Sequence, residues 1–356
     1  MGNQLYGTTQ YGGATNAQCA QGCGTVFAVS ESGTERILYR FKGGADGALP
    51  LGGLIAVGTE LYGTTSAGGS GSACYGGCGT VFELGTDGSA EKVLYAFSGG
   101  KDGALPAAGL VSLGGSFYGT TEYGGQTTAL CPSGCGTIFK LGASGTESVV
   151  HAFKGGSDGA GPVARPIAVD ATLYGTTQYG GRTTAYCGTG CGTLFRATAS
   201  GAMKTLHSFS FGSNSGDGAY PAAAPAAMNG ELYGTTLGGG SSGDGAVYEV
   251  DPNSGAESVL HSFVCCQTST DGAYPYSHLE HIGGLLYGTT HSGGTTNHGT
   301  IFSITSAGTE NVLYDFRGKP DGAYPESGMT LHDGALYGTT TGGGSQSEGT
   351  IFSLTP

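Results

Sequence analysis

Apolar residues along this chain come in short runs that return in a fixed order, separated by glycine-rich turns. One cycle reads from Gly53 to Phe97: GLIAV, then LYGTT from Leu61, GTVFEL from Gly79 and KVLYAF from Lys92. In GTVFEL, Val81 and Glu83 alternate with Phe82 and Leu84, the period of a strand and not of a helix. The runs are β-branched and aromatic and are bounded by Gly-Gly or Asp-Gly, which predicts four antiparallel strands per cycle, here termed A to D in chain order. The B run, LYGTT, recurs at Leu5, Leu61, Leu173, Leu232, Leu286 and Leu336, and as FYGTT at Phe117. The spacings are 56, 56, 56, 59, 54 and 50 residues. A period of this length marks a propeller or solenoid and overrides the two-domain expectation for a chain of 356 residues. The predicted fold is all-β: a seven-bladed β-propeller of four-stranded antiparallel blades, forming one domain over 1–356.

The connection from strand D to the next strand A is also stereotyped. Its DGA-x-P core starts at Asp46, Asp102, Asp158, Asp217, Asp271 and Asp321. From each of its prolines (Pro50, Pro106, Pro162, Pro221, Pro275 and Pro325) the next LYGTT run is 11 residues away. The Asp-Gly pair predicts a turn, with the carboxylate accepting backbone N–H bonds and the glycine at positive φ. Calcium is the competing reading of these aspartates, but each loop offers one carboxylate where calcium takes six or more oxygens.

LYGTT-xx-GG, G-T-[VIL]-F, [LV]-[YH]-x-F and DGA-x-P together cover nearly the whole chain. In these motifs it resembles the choice-of-anchor tandem-repeat GloVer-containing proteins of bacterial surfaces, built on the Gloeo/Verruco repeat. The plan is also similar to kelch, where a strand ends in a Gly doublet. The resemblance implies an exported or surface-attached propeller and brings no catalytic residues with it.

Symmetry breaks in two places. The sequence opens directly on strand B of the first repeat, with no leader pattern at Met1, as expected of a mature form or a fragment. It closes after strand C of the seventh, Gly349 to Leu354. The expectation is incomplete first and last blades. Two other readings stay open: terminal strands supplied by another copy of the chain, giving an oligomer or filament, and six full blades with an extra hairpin. The B–C loops differ as well. Those of repeats one to four are long and carry a C-x3-C pair each, whereas those of repeats five to seven are short, at Ser241 to Asp244, Thr295 to His298 and Ser345 to Glu348.

Composition narrows the function. Net charge is −13 with only 13 Lys+Arg, a poor match for nucleic acid. No apolar run is long enough for a transmembrane helix. The ten cysteines pair locally as Cys19-Cys23, Cys74-Cys78, Cys131-Cys135, Cys187-Cys191 and the adjacent Cys265-Cys266. Even numbers in local pairs predict disulfides and an oxidising compartment over zinc, because no second Cys or His pair accompanies each one.

Candidate chemistry gathers in the last repeats. Aligned from the DGA-x-P proline, strand A carries His278 and Glu280 in repeat six and His332 in repeat seven, where other repeats are small or apolar. His278 and Glu280 are two apart and share a face. A His/Glu group near a central channel suits acid–base work or a divalent metal, and equally suits mutually bonded polar groups. His291 ends a B run and His298 lies in a short loop. His151, His207 and His261 stand where Tyr39, Tyr95 and Tyr314 stand in other repeats and read as packing residues. Cys265 and Cys266, with His291 and His298, mark a candidate ligand-binding face. No HExxH, GxSxG or P-loop pattern occurs.

The expectation is thus a secreted or cell-surface module for adhesion or assembly, without a cofactor, whose partner is a second copy of itself. A lectin-like surface for glycans is the alternative, and a carbohydrate-active enzyme using His278, Glu280 and His332 is a third.

Overall fold

The computed structural model describes residues 4–212, 216–265 and 270–356. Among the described residues the strands form seven antiparallel blade sheets, one per repeat, with three short two-stranded ladders besides, and the fold is a seven-bladed β-propeller. The five middle sheets have four strands in the order A-B-C-D. The second, for instance, comprises Ile55–Val57, Glu60–Thr65, Thr80–Gly85 and Lys92–Ala96. The first has three strands, Gln4–Thr9, Thr25–Ser30 and Glu35–Arg40. The last also has three, Thr330–His332, Ala335–Thr340 and Thr350–Leu354. The terminal blades are therefore incomplete, and the six-blade reading with an extra hairpin is not the one observed. Helical structure among the described residues is confined to two short turns, Gly44–Asp46 and Gly156–Asp158. By packing, the chain divides into two compact units. One is Met1–Gly155, Ala160–Leu173 and Ala197–Met203; the other is Gly156–Gly159, Tyr174–Arg196 and Lys204–Pro356.

Four of the five letters of LYGTT have a structural reason seen in the second blade. In the second blade Leu61 is 1% exposed and belongs to the apolar core. Gly63 faces Phe82 across the pair of strands, and a Cβ there would stand 2.6 Å from the phenyl ring. The glycine is thus the seat of the phenylalanine of GTVF. The first threonine, Thr64, donates from Oγ1 to the Ala108 carbonyl of the next repeat at 2.7 Å. The second, Thr65, bonds Thr80 on strand C at 2.8 Å. Thr120 and Thr121 repeat both contacts in the third blade, and Thr176 and Thr177 in the fourth. One hydroxyl ties a blade to its neighbour and the other ties the blade to itself.

Strand C does not bury alternately, as GTVFEL suggests. Val81, Phe82 and Leu84 are all fully buried. The reason is that strand C lies inside the blade and is covered on both faces by its neighbours. The C–D pairing shifts register between Val81 and Phe82, with the extra residue on strand D, a bulge that recurs at Val26/Phe27 and Ile138/Phe139. The phenylalanines meet edge-to-face between blades, as in Phe97 with Phe139 at 5.1 Å.

The DGA-x-P core docks against the Gly-Gly that follows LYGTT. It pairs as a short ladder at Gly218–Ala219 with Gly238–Gly239 and again at Gly272–Ala273 with Ser292–Gly293. In the earlier loops it makes single bridges, Ala48 to Ala67 and Ala104 to Tyr123. Gly47, Gly103 and Gly159 take positive φ, whereas Gly218, Gly272 and Gly322 lie in the extended ladders.

Four disulfides join Cys19 to Cys23, Cys74 to Cys78, Cys131 to Cys135 and Cys187 to Cys191, with Cα separations of 5.1 to 5.2 Å. The expected bond between Cys265 and Cys266 lies outside the described residues, which omit Cys266. No helix among the described residues is long and apolar enough to cross a membrane.

Candidate functional site

Two groups of side chains in the second unit stand out on the face formed by the B–C and D–A loops. The first is built around Tyr324, the variable residue of the last DGA-x-P core. It sits at φ 59°, a left-handed backbone uncommon for a bulky residue. Its N–H is bonded to the His298 carbonyl at 2.8 Å and its carbonyl accepts from Thr341 at 3.1 Å, which holds that conformation. The ring stacks on His291 at 5.1 Å and lies 5.4 Å from His298. Tyr276 meets His291 from the preceding loop at 5.5 Å. The His291 ring is oriented by Ser292 Oγ at 2.8 Å on one nitrogen and by Glu326 at 3.4 Å on the other. His298 Nδ1 is sealed from solvent without a hydrogen-bond partner. The sequence-predicted pair His291 and His298 is thus brought together by a tyrosine.

The second group lies at the disulfide loop of repeat four. Tyr186 projects beside Cys187 and is 58% exposed. Phe211 packs against it at 5.1 Å, and the Tyr220 hydroxyl donates to its carbonyl at 3.1 Å. Tyr186 and Phe211, with Arg182 and Ser210, line a cleft of about 350 Å³. The sequence signal for this cleft was weak: an aromatic residue next to a cysteine, and a second one beyond the next two strands.

The candidates on strand A are placed differently. Glu280 opens the strand Glu280–Ile282, opposite Tyr287. His278 packs on Gly328, where a Cβ would collide with the imidazole. His332 lies 6.3 Å from the Tyr337 ring. Neither His278 nor Glu280 belongs to a close group of three or more metal-ligating side chains among the described residues.

The loop aspartates have more partners than a turn requires. Asp102 accepts from the Ser98 N–H at 2.7 Å, and Asp46 from the Lys42 N–H at 2.6 Å. Asp217, Asp271 and Asp321 accept from Ser210, Val264 and Arg317 and from the glycine that follows each. A strand-D side chain reaches the same carboxylate: Tyr39 bonds Asp46 at 2.6 Å and Tyr95 bonds Asp102 at 3.0 Å. Histidine does so in later repeats, His207 with Asp217 at 3.3 Å and His261 with Asp271 at 3.1 Å. These histidines do pack as expected, edge-on to Phe209 and Phe263 at 4.8 Å, but they also bind a carboxylate.

A third group completes each cluster from the next blade's strand D. Glu91 comes to Tyr39, and Glu147 comes to Tyr95 and Asp102. Glu257 joins His207 and Asp217, and Glu310 joins His261 and Asp271. The Oε1 atoms of these four glutamates are sealed without hydrogen-bond partners. Burial, then the neighbouring aspartate, pushes Glu147 and Glu257 up to about 7. Glu91 and Glu310 are raised by the same causes. Burial works against charge on His261, but the bond to Asp271 and the charges of Asp271 and Glu310 together outweigh it and hold the imidazole above its ordinary value.

The sequence model described as Gloeobacter/Verrucomicrobia repeat matches residues 1–189 and 182–356. No curated protein matches the chain in sequence. Among solved structures, the chain is similar to a putative 6-phosphogluconolactonase from Bacteroides uniformis (TM-score 0.56, 13% identity, 99% of this chain and 95% of that one). It is similar to a puromycin-hydrolyzing peptidase of Mycobacterium tuberculosis (TM-score 0.56, 10% identity, 100% of this chain and 50% of that one). A third likeness is to an oligogalacturonate lyase in complex with manganese (TM-score 0.51, 12% identity, 93% and 82%). At these identities the likeness is one of fold alone.

Proposed function

The chain belongs to the Gloeobacter/Verrucomicrobia repeat family, and from that premise we propose that it works outside the cell as a non-enzymatic, disulfide-pinned binding propeller for surface adhesion or assembly. The observation that carries this reading is the set of four C-x3-C bonds, each in the B–C loop of one repeat. Such bonds persist only in an oxidising compartment. They are placed to stiffen long loops that a propeller does not need for its blades, so the stiffened loops are the part selected for contact. The test is the native particle, sized by light scattering and negative-stain microscopy without reductant. Ordered oligomers or filaments support assembly through a second copy of the chain. A discrete particle of the monomer's mass, 35.2 kDa, ends that version and leaves binding of a foreign surface.

A second reading is favoured by the loop face of the second unit. Tyr276, Tyr324 and Tyr186 present ring faces there beside His291, Glu326 and Arg182. Rings flanked by hydrogen-bonding side chains suit a sugar, whose one face is apolar and whose edge is polar. A glycan array with the wild type and Tyr324→Ala tests it. Ligands lost in the variant support the reading, and no bound glycan, or retention of every ligand, rules it out.

A further inference from the structure

We propose that the two inter-blade clusters built with histidine, His207–Asp217–Glu257 and His261–Asp271–Glu310, are divalent transition-metal sites of the zinc class, and that the equivalent clusters built with tyrosine are not. The glutamate, the aspartate and the strand-D ring recur at one place in the repeat, so the chain holds its own control. In each histidine cluster one imidazole nitrogen and two carboxylate oxygens lie within 4.8 Å of one another. The His–Asp edges are 3.3 and 3.1 Å. Donors about 2.0 to 2.2 Å from a tetrahedral zinc stand roughly 3.3 Å apart, so the His–Asp edges already fit the ion and the glutamate has to close on it from within 4.8 Å.

Three further features favour a cation. Glu257 Oε1 and Glu310 Oε1 are sealed with no hydrogen-bond partner, as are Oε1 of Glu91 and Glu147, but only in the histidine clusters does an imidazole stand beside them to share an ion. Uptake of a divalent ion would release the protons these groups share and leave two carboxylates and a deprotonated imidazole, whose charge the ion cancels. The aspartates are also pre-oriented. The second oxygen of Asp217 accepts from Gly218 and that of Asp271 from Gly272, both at 2.7 Å, the outer-shell support that ligating carboxylates need. The histidine side chains are 18% and 21% exposed, which leaves an entry path and room for water as fourth ligand.

The tyrosine clusters lack this capacity. Tyr39 and Tyr95 are held protonated by burial and by the carboxylates beside them, so each phenol donates to its aspartate and offers no ligand. Met203 stands in the sequence where the other repeats carry this glutamate, so the repeat before it has no third ligand. Imidazole with carboxylate suits zinc and its neighbours, while calcium prefers oxygen alone.

The experiment uses the full chain, oxidised and freed of metal with a chelator, then dialysed against Zn²⁺ and analysed for bound metal. The variants are His207→Tyr, His261→Tyr and the two together. Tyrosine is what repeats one, two and six carry at this place, so the substitution keeps the fold, which a cooperative melt confirms. Each single variant is expected to hold one zinc ion fewer than the wild type and the double variant two fewer. Glu257→Gln and Glu310→Gln each weaken the corresponding site at least tenfold. Equal zinc content in wild type and double variant overturns the proposal, as does uptake that Ca²⁺ at equal concentration abolishes.

Discussion

Replacing Glu147 by glutamine tests the inter-blade contacts through their protons. The carboxyl lies between Tyr95 and Asp102 in the first unit, half-buried, with Oε1 sealed and unpartnered. Burial and the Asp102 charge raise it from an ordinary value of 4.5 to about 7. The direction of the linkage follows. Below pH 4.5 the group is protonated in both folded and unfolded chains, and its contribution to stability is fully present. As pH rises the unfolded chain loses the proton first, so the contribution falls away and is gone above about pH 7. The gap between the two values corresponds to a ceiling of about 3 kcal/mol. The carboxyl is half in solvent, which screens the charge, so about 1–2 kcal/mol is expected. Glutamine mimics the protonated carboxyl at every pH. Glu147→Gln should therefore be close to neutral at pH 5 and stabilising by about 1–2 kcal/mol at pH 8 relative to wild type. Urea unfolding of both proteins at the two pH values, without reductant and compared at equal slope, measures the difference. The same effect at both pH values, or a variant weaker than wild type at pH 8, would refute the reasoning.

Two further outcomes are expected. Phe139→Ala removes a fully buried ring that packs on Phe97 and over Gly119, and should cost about 3–5 kcal/mol in urea unfolding; a loss below about 1 kcal/mol would mean that the inter-blade core is not where stability lies. Changing Cys74 and Cys78 together to serine opens a loop closed across four positions and should cost roughly 2 kcal/mol, with the strands intact by circular dichroism; collapse of the β spectrum would mean that the loop bond, and not the blade, carries the fold.

Much of the architecture was legible because a propeller repeats its solution. LYGTT, GTVF and DGA-x-P are local answers to local demands. A glycine makes room for a phenylalanine, two threonines bond in two directions, and a proline meets the glycine that opens GTVF. Repetition made each demand visible six or seven times, and the local cysteine spacing made the loop bonds visible as well. Strand C was read less well, because alternation assumes one wet face, and here both faces are covered by blades.

The candidate sites show the opposite case. His291 and His298 could be named from their positions, but Tyr324, the residue that joins them, looked like one variable letter of a turn motif. His207 and His261 were legible as ring substitutes for tyrosine and not as partners of a carboxylate pair. Their glutamates stand 50 and 49 residues further on, at Glu257 and Glu310, and nothing local connects them. The amino-acid sequence alone determined the strands, their order and the turns, since those depend on neighbours within a few residues. Only the tertiary structure decided which polar groups share a space, since strand D of one blade meets strand D of the next through a register set by packing between the sheets.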